Sequence, residues 1–465
     1  MIVDNSNWEI PSSIDLESFL KKYKPNFKYK KDHFYYIVEY LGKSMEQSDL
    51  NDNEGYINTS AVILQNKFKN YKKYLQHMLD NGLIKTDMRY IVGEKCKGYL
   101  LCGSNSNDVT LSKIPIVDYV SRKNRSKENA NSMIKIHTTK KKYPYLTKWF
   151  DNRLKIDSVK ASAEINKLFP VQTGPIRGKL KGKPSVFNMR IKAIYSLNRF
   201  SKQLFYFSVD DNVGRFHSNL ANIKRELRNF ITYDGHKLVN VDIKNSQPLL
   251  STLLFNPKFY DKDERLSIYN FKKGSSSLFS SSNSPSPSNV FTSSSSSSSA
   301  IMLGKTLQNT ANKEYREYID MVNSGDFYKK LHDKIYSQLP YNKAKMKEIL
   351  FTVFFSNNKF IGQPEAQSKR DFKKAFPEVY EVFKVIKKNK HQTLARLLQR
   401  IESDIIIRNA SKRISIEKPN LPIFTIHDSI ATIQGNENYI SDIIKEEVFQ
   451  LTGLNAKIGL EYWNP

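Results

Sequence analysis

Asp242 and Asp428 each follow a β-branched run, in V-N-V-D-I-K-N-S-Q and I-F-T-I-H-D-S-I-A-T. A carboxylate at the end of a buried strand is placed by the sheet. Two such aspartates on neighbouring strands are able to hold two Mg²⁺ ions, which take hard oxygen ligands and fill their shells with water and substrate phosphates. A pair of this kind stabilises the entering and leaving oxygens of an in-line phosphoryl displacement. Taken alone, either residue is equally a strand-end Asp capping the next turn.

A third segment, Y-N-K-A-K-M-K-E-I-L-F-T-V-F-F-S, repeats Lys343, Lys347, Phe351 and Phe355 every four residues. A helix would set all four on one face. Two cations followed by two rings suit a nucleoside triphosphate, with phosphates at the charged end and the base on the rings. The competing reading is an amphipathic helix with Phe351 and Phe355 in a core.

The chain has 465 residues, a net charge of +28 and 39% hydrophobic residues, enough for two or three domains with real cores. Between Arg122 and Lys192 stand 19 Lys/Arg against 4 Asp/Glu, so about half the excess charge lies in a sixth of the chain. DNA or RNA is the partner such charge implies, with affinity falling steeply in salt. No apolar stretch approaches the roughly 18 residues of a membrane span. Met1 to Pro11 has acidic residues and no apolar core of a signal peptide. Two cysteines, Cys96 and Cys102, make neither a zinc site nor a disulfide framework. An intracellular location is expected.

The elements that must carry these residues fall into four blocks. Residues 1–31 read as an irregular lead-in. Residues 32–104 hold a helix at His33 to Leu41, an N-cap cluster at Asn58-Thr59-Ser60 and a helix at Lys69 to Asn81 closed by Gly82. Strands follow at Leu83-Ile84, Arg89 to Val92 and Gly98 to Leu101, the last two joined through Gly93-Glu94-Lys95. This order resembles a winged helix. The resemblance implies DNA contact, with Lys69, Lys72, Lys73, Arg89, Lys95 and Lys97 on phosphates; winged helices also serve as protein-binding modules. Residues 105–204 form a basic linker or thumb-like region, with helices around Tyr145 to Arg153 and Ser158 to Leu168 and loops at 173–175 and 182–184. Residues 205–463 carry the chemistry. Inside them, 275–299 hold 16 serines in 25 residues, a disordered insertion that must loop out.

From Gly214 onward, five segments in order resemble the palm and fingers of the family A polymerase superfamily, which includes phage-type single-subunit RNA polymerases. G-R-F-H-S-N-L-A-N-I-K-R-E-L-R-N-F-I supplies Arg215, the primer-terminus position, and Arg225 or Arg228 as the later arginine. Asp242 stands at motif A and Lys343, Lys347, Phe351 and Phe355 at motif B. Gln399 stands on the helix before motif C, with Glu402 and Asp404 nearby as structural acids. His427 and Asp428 stand at motif C. A helix at Tyr439 to Leu451 and a strand at Ala456 to Trp463 close the pattern.

The resemblance implies an α+β right-hand fold and a template-directed nucleotidyltransferase. Asp242 and Asp428 would hold two Mg²⁺, and Lys347 would neutralise and protonate leaving pyrophosphate. Lys343, Phe351, Phe355 and Gln247 would meet the nucleotide; Arg215, Arg228, Gln399 and His427 would meet the primer–template. The implied partners are template–primer DNA, origin DNA and nucleoside triphosphates, in a replication protein of a mobile element, plasmid or virus. Departures stand out: Lys343 replaces arginine, Phe355-Ser356 replaces Tyr-Gly, and Gln247 replaces a glutamate or glycine that sets sugar choice. DNA synthesis is favoured. Ser246 and the H-D-S sequence keep RNA synthesis as the alternative, beside a non-catalytic DNA-binding protein with a degenerate palm.

Overall fold

The computed structural model of the chain describes residues 6–48, 55–91, 95–103, 106–170, 185–261, 267–268, 312–359 and 361–464. The serine tract, the loops at 173–175 and 182–184, and Gly93-Glu94 lie outside them. The chain divides into two compact units. The first comprises Met1–Ser208, His217–Leu238 and Trp463–Pro465; the second comprises Val209–Phe216 and Val239–Tyr462. Both mix helices with antiparallel strands. No helix of the described residues is long and apolar enough to cross a membrane.

The first unit begins with β1 (Asn7–Pro11), α1 (Leu16–Lys22), α2 (Lys31–Gln47), β2 (Ile57–Asn58), α3 (Ala61–Lys67), α4 (Tyr71–Asp80), β3 (Ile84–Thr86), β4 (Gly98–Leu101), β5 (Leu111–Pro115) and α5 (Tyr119–Lys142). It continues through α6 (Pro144–Thr147), β6 (Leu154–Ile156), α7 (Ser158–Leu168), α8 (Val186–Ser201), β7 (Phe207–Val209), β8 (Phe216–Ser218), α9 (Asn219–Asn222), α10 (Arg225–Arg228) and β9 (Ile231–Tyr233). Residues 1–31 are therefore not an irregular lead-in. Trp8 and Ile10 alternate into the core, and β1 pairs with β5 in the register Trp8↔Ile114. Nor are residues 105–204 a mere linker, because α8 buries Ile191, Ile194, Tyr195 and Phe200.

Helices form where apolar residues recur at helical spacing. On α2, Phe34, Ile37, Val38, Leu41 and Met45 are buried. On α4, Tyr71, Tyr74, Leu75 and Met78 are buried while Lys72 and Lys73 are exposed. Gly82 closes α4 at φ +73, with the Leu83 N–H donating to the Met78 carbonyl, a left-handed cap that favours glycine. Over Arg89 to Ile91 the expected strand is reduced to a single bridge, Ile91↔Lys95, and Val92 lies outside the described residues. Asp87 Oδ1 takes the N–H groups of both Arg89 and Gly98, and Met88 sits left-handed at φ 54, which ends β3. Strands β2, β4 and β3 make a three-stranded antiparallel sheet in that order. The helix expected from Tyr145 to Arg153 stops at Thr147, and an Asp151 turn accepting from the Arg153 N–H takes over.

The second unit holds most of β10 (His236–Ile243), then α11 (Ser246–Ser251), α12 (Lys313–Asn323), α13 (Phe327–Tyr336), α14 (Lys343–Phe355), α15 (Gln367–Ala375), α16 (Pro377–Ile386) and α17 (Thr393–Ser403). A π-helical stretch, Asp404–Ala410, leads to α18 (Ser411–Glu417), β11 (Ile423–Ile426), β12 (Ser429–Ile433), α19 (Glu437–Thr452) and β13 (Ile458–Tyr462). The sheet order is β11-β12-β10, with β13 also paired to β10. Helices pack around Tyr318, fully buried edge-on among Phe255, Phe327, Phe376 and Phe383. Its hydroxyl lies 3.0 Å from Ser251 Oγ, which ties α11 to the helical layer.

In the first unit, α2 and α8 approach at Gly42, where an added Cβ would lie 2.2 Å from the buried Tyr195 ring. Gly42→Ala is expected to destabilise the first unit by roughly 1–3 kcal/mol, as overpacking does, and a thermal melt of the purified variant checks it.

Candidate functional site

Strand β10 delivers Asp242, half-buried, opposite Gly459 on β13. A Cβ at position 459 would lie 3.3 Å from Asp242 Oδ2, so the glycine leaves the carboxylate its space. The chain then turns sharply: Asn245 adopts the left-handed conformation at φ 58, which Asn tolerates better than most residues. Ser246 and Gln247 follow at once in the first turn of α11.

Strands β11 and β12 pair at Ile426↔Ser429, so His427 and Asp428 form a two-residue hairpin turn. His427 is left-handed at φ 54 and exposed, and Asp428 is half-buried.

The helix α17 adds a residue the sequence reading treated as structural. Glu402 is buried, and its Oε1 accepts from Ser246 Oγ at 2.9 Å and from Gln247 Nε2 at 3.0 Å. Its Oε2 pairs with the Arg215 guanidinium. Arg215 stands at the end of a tight loop. Asp210 Oδ1 takes the N–H groups of Asn212 and Val213, Asp210 Oδ2 takes that of Arg215, and Gly214 sits at φ +71. Arg400, also on α17, donates to the carbonyls of Asp211 and Asn212 and pins the same loop.

Ser246 Oγ lies 2.9 Å from Asp428 Oδ2 as well. A hydroxyl has one hydrogen, so it serves one carboxylate at a time, and a proton on Asp428 completes the other contact. The electrostatics agree. Burial first, then the negative charges of Glu402 and Asp242, push the Asp428 carboxyl up to about 7. Three carboxylates from β10, α17 and the β11–β12 turn thus feel one another. Among the described residues, no group of three or more His, Cys, Asp or Glu stands at metal-holding spacing. Glu402 is already engaged by Arg215, Ser246 and Gln247, which leaves Asp242 and Asp428 as the pair whose chemistry suits a divalent cation. Two carboxylates fit Mg²⁺, which keeps several waters and uses substrate phosphates.

The Lys/Phe face forms as its spacing predicts. On α14, Lys343 and Lys347 are exposed. Phe351 is 60% exposed and stacks on half-buried Phe355 at 4.6 Å. Met346, Ile349, Leu350, Val353 and Phe354 take the core side instead, so the rings at 351 and 355 are not core residues. Gln399 is half-buried on α17, three residues before Glu402. Arg228 is half-buried in the first unit. Of the module cations, Lys69, Lys72, Lys73, Arg89 and Lys97 are exposed, whereas Lys95 is half-buried in an ion pair with Asp87 at 3.0 Å. Sequence reasoning missed the roles of Glu402 and Asp210. The i, i+3 spacing of Gln399 and Glu402, which puts both on one helical face, was the available signal for the first.

No protein-family model matches the sequence, and no curated protein matches it. Among solved structures, the POL domain of Pol1 from M. smegmatis, in complex with DNA primer-template and dNTP, aligns over 69% of this chain and 69% of its own. The identity is 11% and the TM-score 0.37. A likeness that shallow carries no argument.

A carboxyl whose folded pKa is raised binds its proton more tightly in the native than in the unfolded chain. The contribution of Asp428 to stability is therefore present at low pH and is lost as pH rises from near 4 through about 7. Asp428→Asn is expected to flatten this fall. Melting temperatures of both proteins between pH 5 and 8, in chelator, check it; parallel curves would contradict it.

Proposed function

We propose that the second unit is a template-directed nucleotidyltransferase, with DNA synthesis its most plausible product. The observation that carries the reading is the meeting of residues remote in sequence: Ser246 hydrogen-bonds both Glu402 and Asp428, and the charge of Asp242 acts on Asp428. Asp242 and Asp428 would hold Mg²⁺, whose chemistry is to neutralise charge building on the phosphoryl oxygens. Ser246, bonded to both Glu402 and Asp428, fixes the Asp428 side chain against α17, where the charge of Asp242 also acts on it.

Lys343 and Lys347 would attract the triphosphate as point charges, and Lys347 would protonate the leaving pyrophosphate. Phe351 and Phe355, already stacked and partly exposed, offer a surface to the base. Gln247, fixed through its Nε2 on Glu402, borders the same cluster and bears on sugar choice. Arg215, Arg228, Gln399 and His427 are assigned to the primer–template. Asp428-Ser429 and the hydroxyl of Ser246 are the features favouring RNA synthesis as the second outcome.

In the first unit, helix–strand–helix–helix–strand–strand order with the sheet β2-β4-β3 supports reading α2 to β4 as a winged helix. Exposed Lys69, Lys72, Lys73, Arg89 and Lys97 then contact phosphates, with Lys95 set back on Asp87. Origin recognition in a mobile element, plasmid or virus follows from pairing such a module with a polymerase. One observation favours a non-catalytic palm instead. Arg215 and Ser246 already meet Glu402, and Ser246 meets Asp428, so these two carboxylates have partners without a cation.

Purified protein is expected to extend a primer along its template with Mg²⁺ and dNTPs. Asp242→Ala and Asp428→Ala should each lower the rate by more than the roughly 10- to 100-fold that outer-shell partners cost, with DNA binding retained. Extension with NTPs alone would make it an RNA polymerase. No extension with either sugar, beside intact DNA binding, would leave the non-catalytic reading.

A further inference from the structure

Two lysines of the second unit are almost fully buried. Lys387, at the end of α16, is 2% exposed, and Lys369, on α15, is 4% exposed. Both ammonium groups are spent on one short stretch, the last turn of α14 and the two residues that follow it. Lys387 Nζ donates to the carbonyls of Val353 and Ser356, the latter at 3.2 Å, and Lys369 Nζ donates to the carbonyl of Asn357. Arg370, beside Lys369, continues the pattern: its guanidinium donates to the carbonyls of Ile361 and Gln363, further along the same loop. Neither lysine has a carboxylate among the groups that act on it. Burial lowers both, and Lys369 adds to the lowering of Lys387.

A buried ammonium without a counter-ion is costly, and a lone structural need rarely calls for two. What meets them are backbone carbonyls: Lys387 takes one in the last turn of α14, at Val353, and one just beyond it, at Ser356, and Lys369 takes the next, at Asn357. The last carbonyls of α14 have no intrahelical partner and carry its partial negative charge. The same helix turns its positive end toward Lys343, its first residue, and Lys347 one turn on. Cations therefore bind α14 from within the protein at its C-terminal end, while its N-terminal end and exposed face stay open to an anion.

We infer that Lys387 and Lys369 are positioning residues for nucleoside triphosphate binding. They clamp the C-terminal end of α14 to α15 and α16 and thereby fix the face carrying Lys343, Lys347, Phe351 and Phe355. The inference rests on the reading of that face as the triphosphate site. Phe355 lies between the two residues whose carbonyls Lys387 holds, so the stack of Phe351 on Phe355 sits directly on the clamp. Lys387→Met keeps an unbranched side chain, one atom shorter, and removes the charge and its donors.

The test uses the full chain, a fluorescent mant-labelled nucleoside triphosphate with Ca²⁺ to measure binding without turnover, and primer extension to separate KM from kcat. Lys387→Met is expected to weaken mant-nucleotide binding and raise nucleotide KM by tenfold or more, with kcat within about threefold of wild type. Lys387→Arg, which restores donors to the carbonyls, should recover most of the affinity. Wild-type affinity in folded Lys387→Met would overturn the clamp while leaving the nucleotide face standing. Loss of affinity that Lys387→Arg does not recover at all would also overturn it. Failure of the wild-type chain to bind the nucleotide would overturn the face, and the clamp with it. Should Lys387→Met not fold, Lys369→Met, which removes one carbonyl contact, carries the same expectation and the same refutation.

Discussion

A buried carboxylate has to be matched by donors or by positive charge, and the second unit is organised around that demand at Glu402. Removing one partner of such a buried pair costs roughly 3–5 kcal/mol, because the other charge is then stranded. Glu402 is met by Arg215 from the Asp210 loop and by Ser246 and Gln247 from the first turn of α11. Through Ser246 it also reaches Asp428 on the β11–β12 turn. One side chain thus ties together the loop, the strand-to-helix turn after Asp242, the helix α17 and the hairpin. A π-helical stretch begins two residues later, a departure from regular helix that recurs near functional sites.

The charge arrangement explains why the cluster is built from partners rather than left bare. The chain carries +28 overall, yet inside the second unit the charges of Glu402 and Asp242 both act on Asp428. Like charges so placed are stable only with a proton shared among them or a cation between them. Burial and the charges of Glu402 and Asp242 raise the Asp428 carboxyl to about 7, and the Arg215 guanidinium meets Glu402.

Much of this was legible in the sequence, and the misses have physical causes. The strand ending in Asp242, the helix Ser158–Leu168 and the four-residue repeat on α14 follow from local periodicity, which tertiary contacts here reinforce. The strand expected at Arg89 to Val92 has the right residue types, but the Asp87 carboxylate captures the amides that would have entered the ladder. The lead-in hides β1 because five residues pair with a strand a hundred positions away, which no local pattern announces. Glu402, Lys369 and Lys387 share one property: each acts on backbone or side chains well removed in sequence, whereas Asp210 acts on the amides of its own loop. A charged residue reads as a solvated one until the fold supplies its partner.

The central claim is that Asp242 and Asp428 form one divalent-cation site. Its most direct test is a Mn²⁺ titration followed by electron paramagnetic resonance, on wild-type protein and on Asp242→Asn and Asp428→Asn, without nucleotide or DNA. The account expects the wild type to bind Mn²⁺ and both single variants to lose that binding together, since neither carboxylate suffices alone. Binding that survives in either variant with wild-type affinity would contradict it.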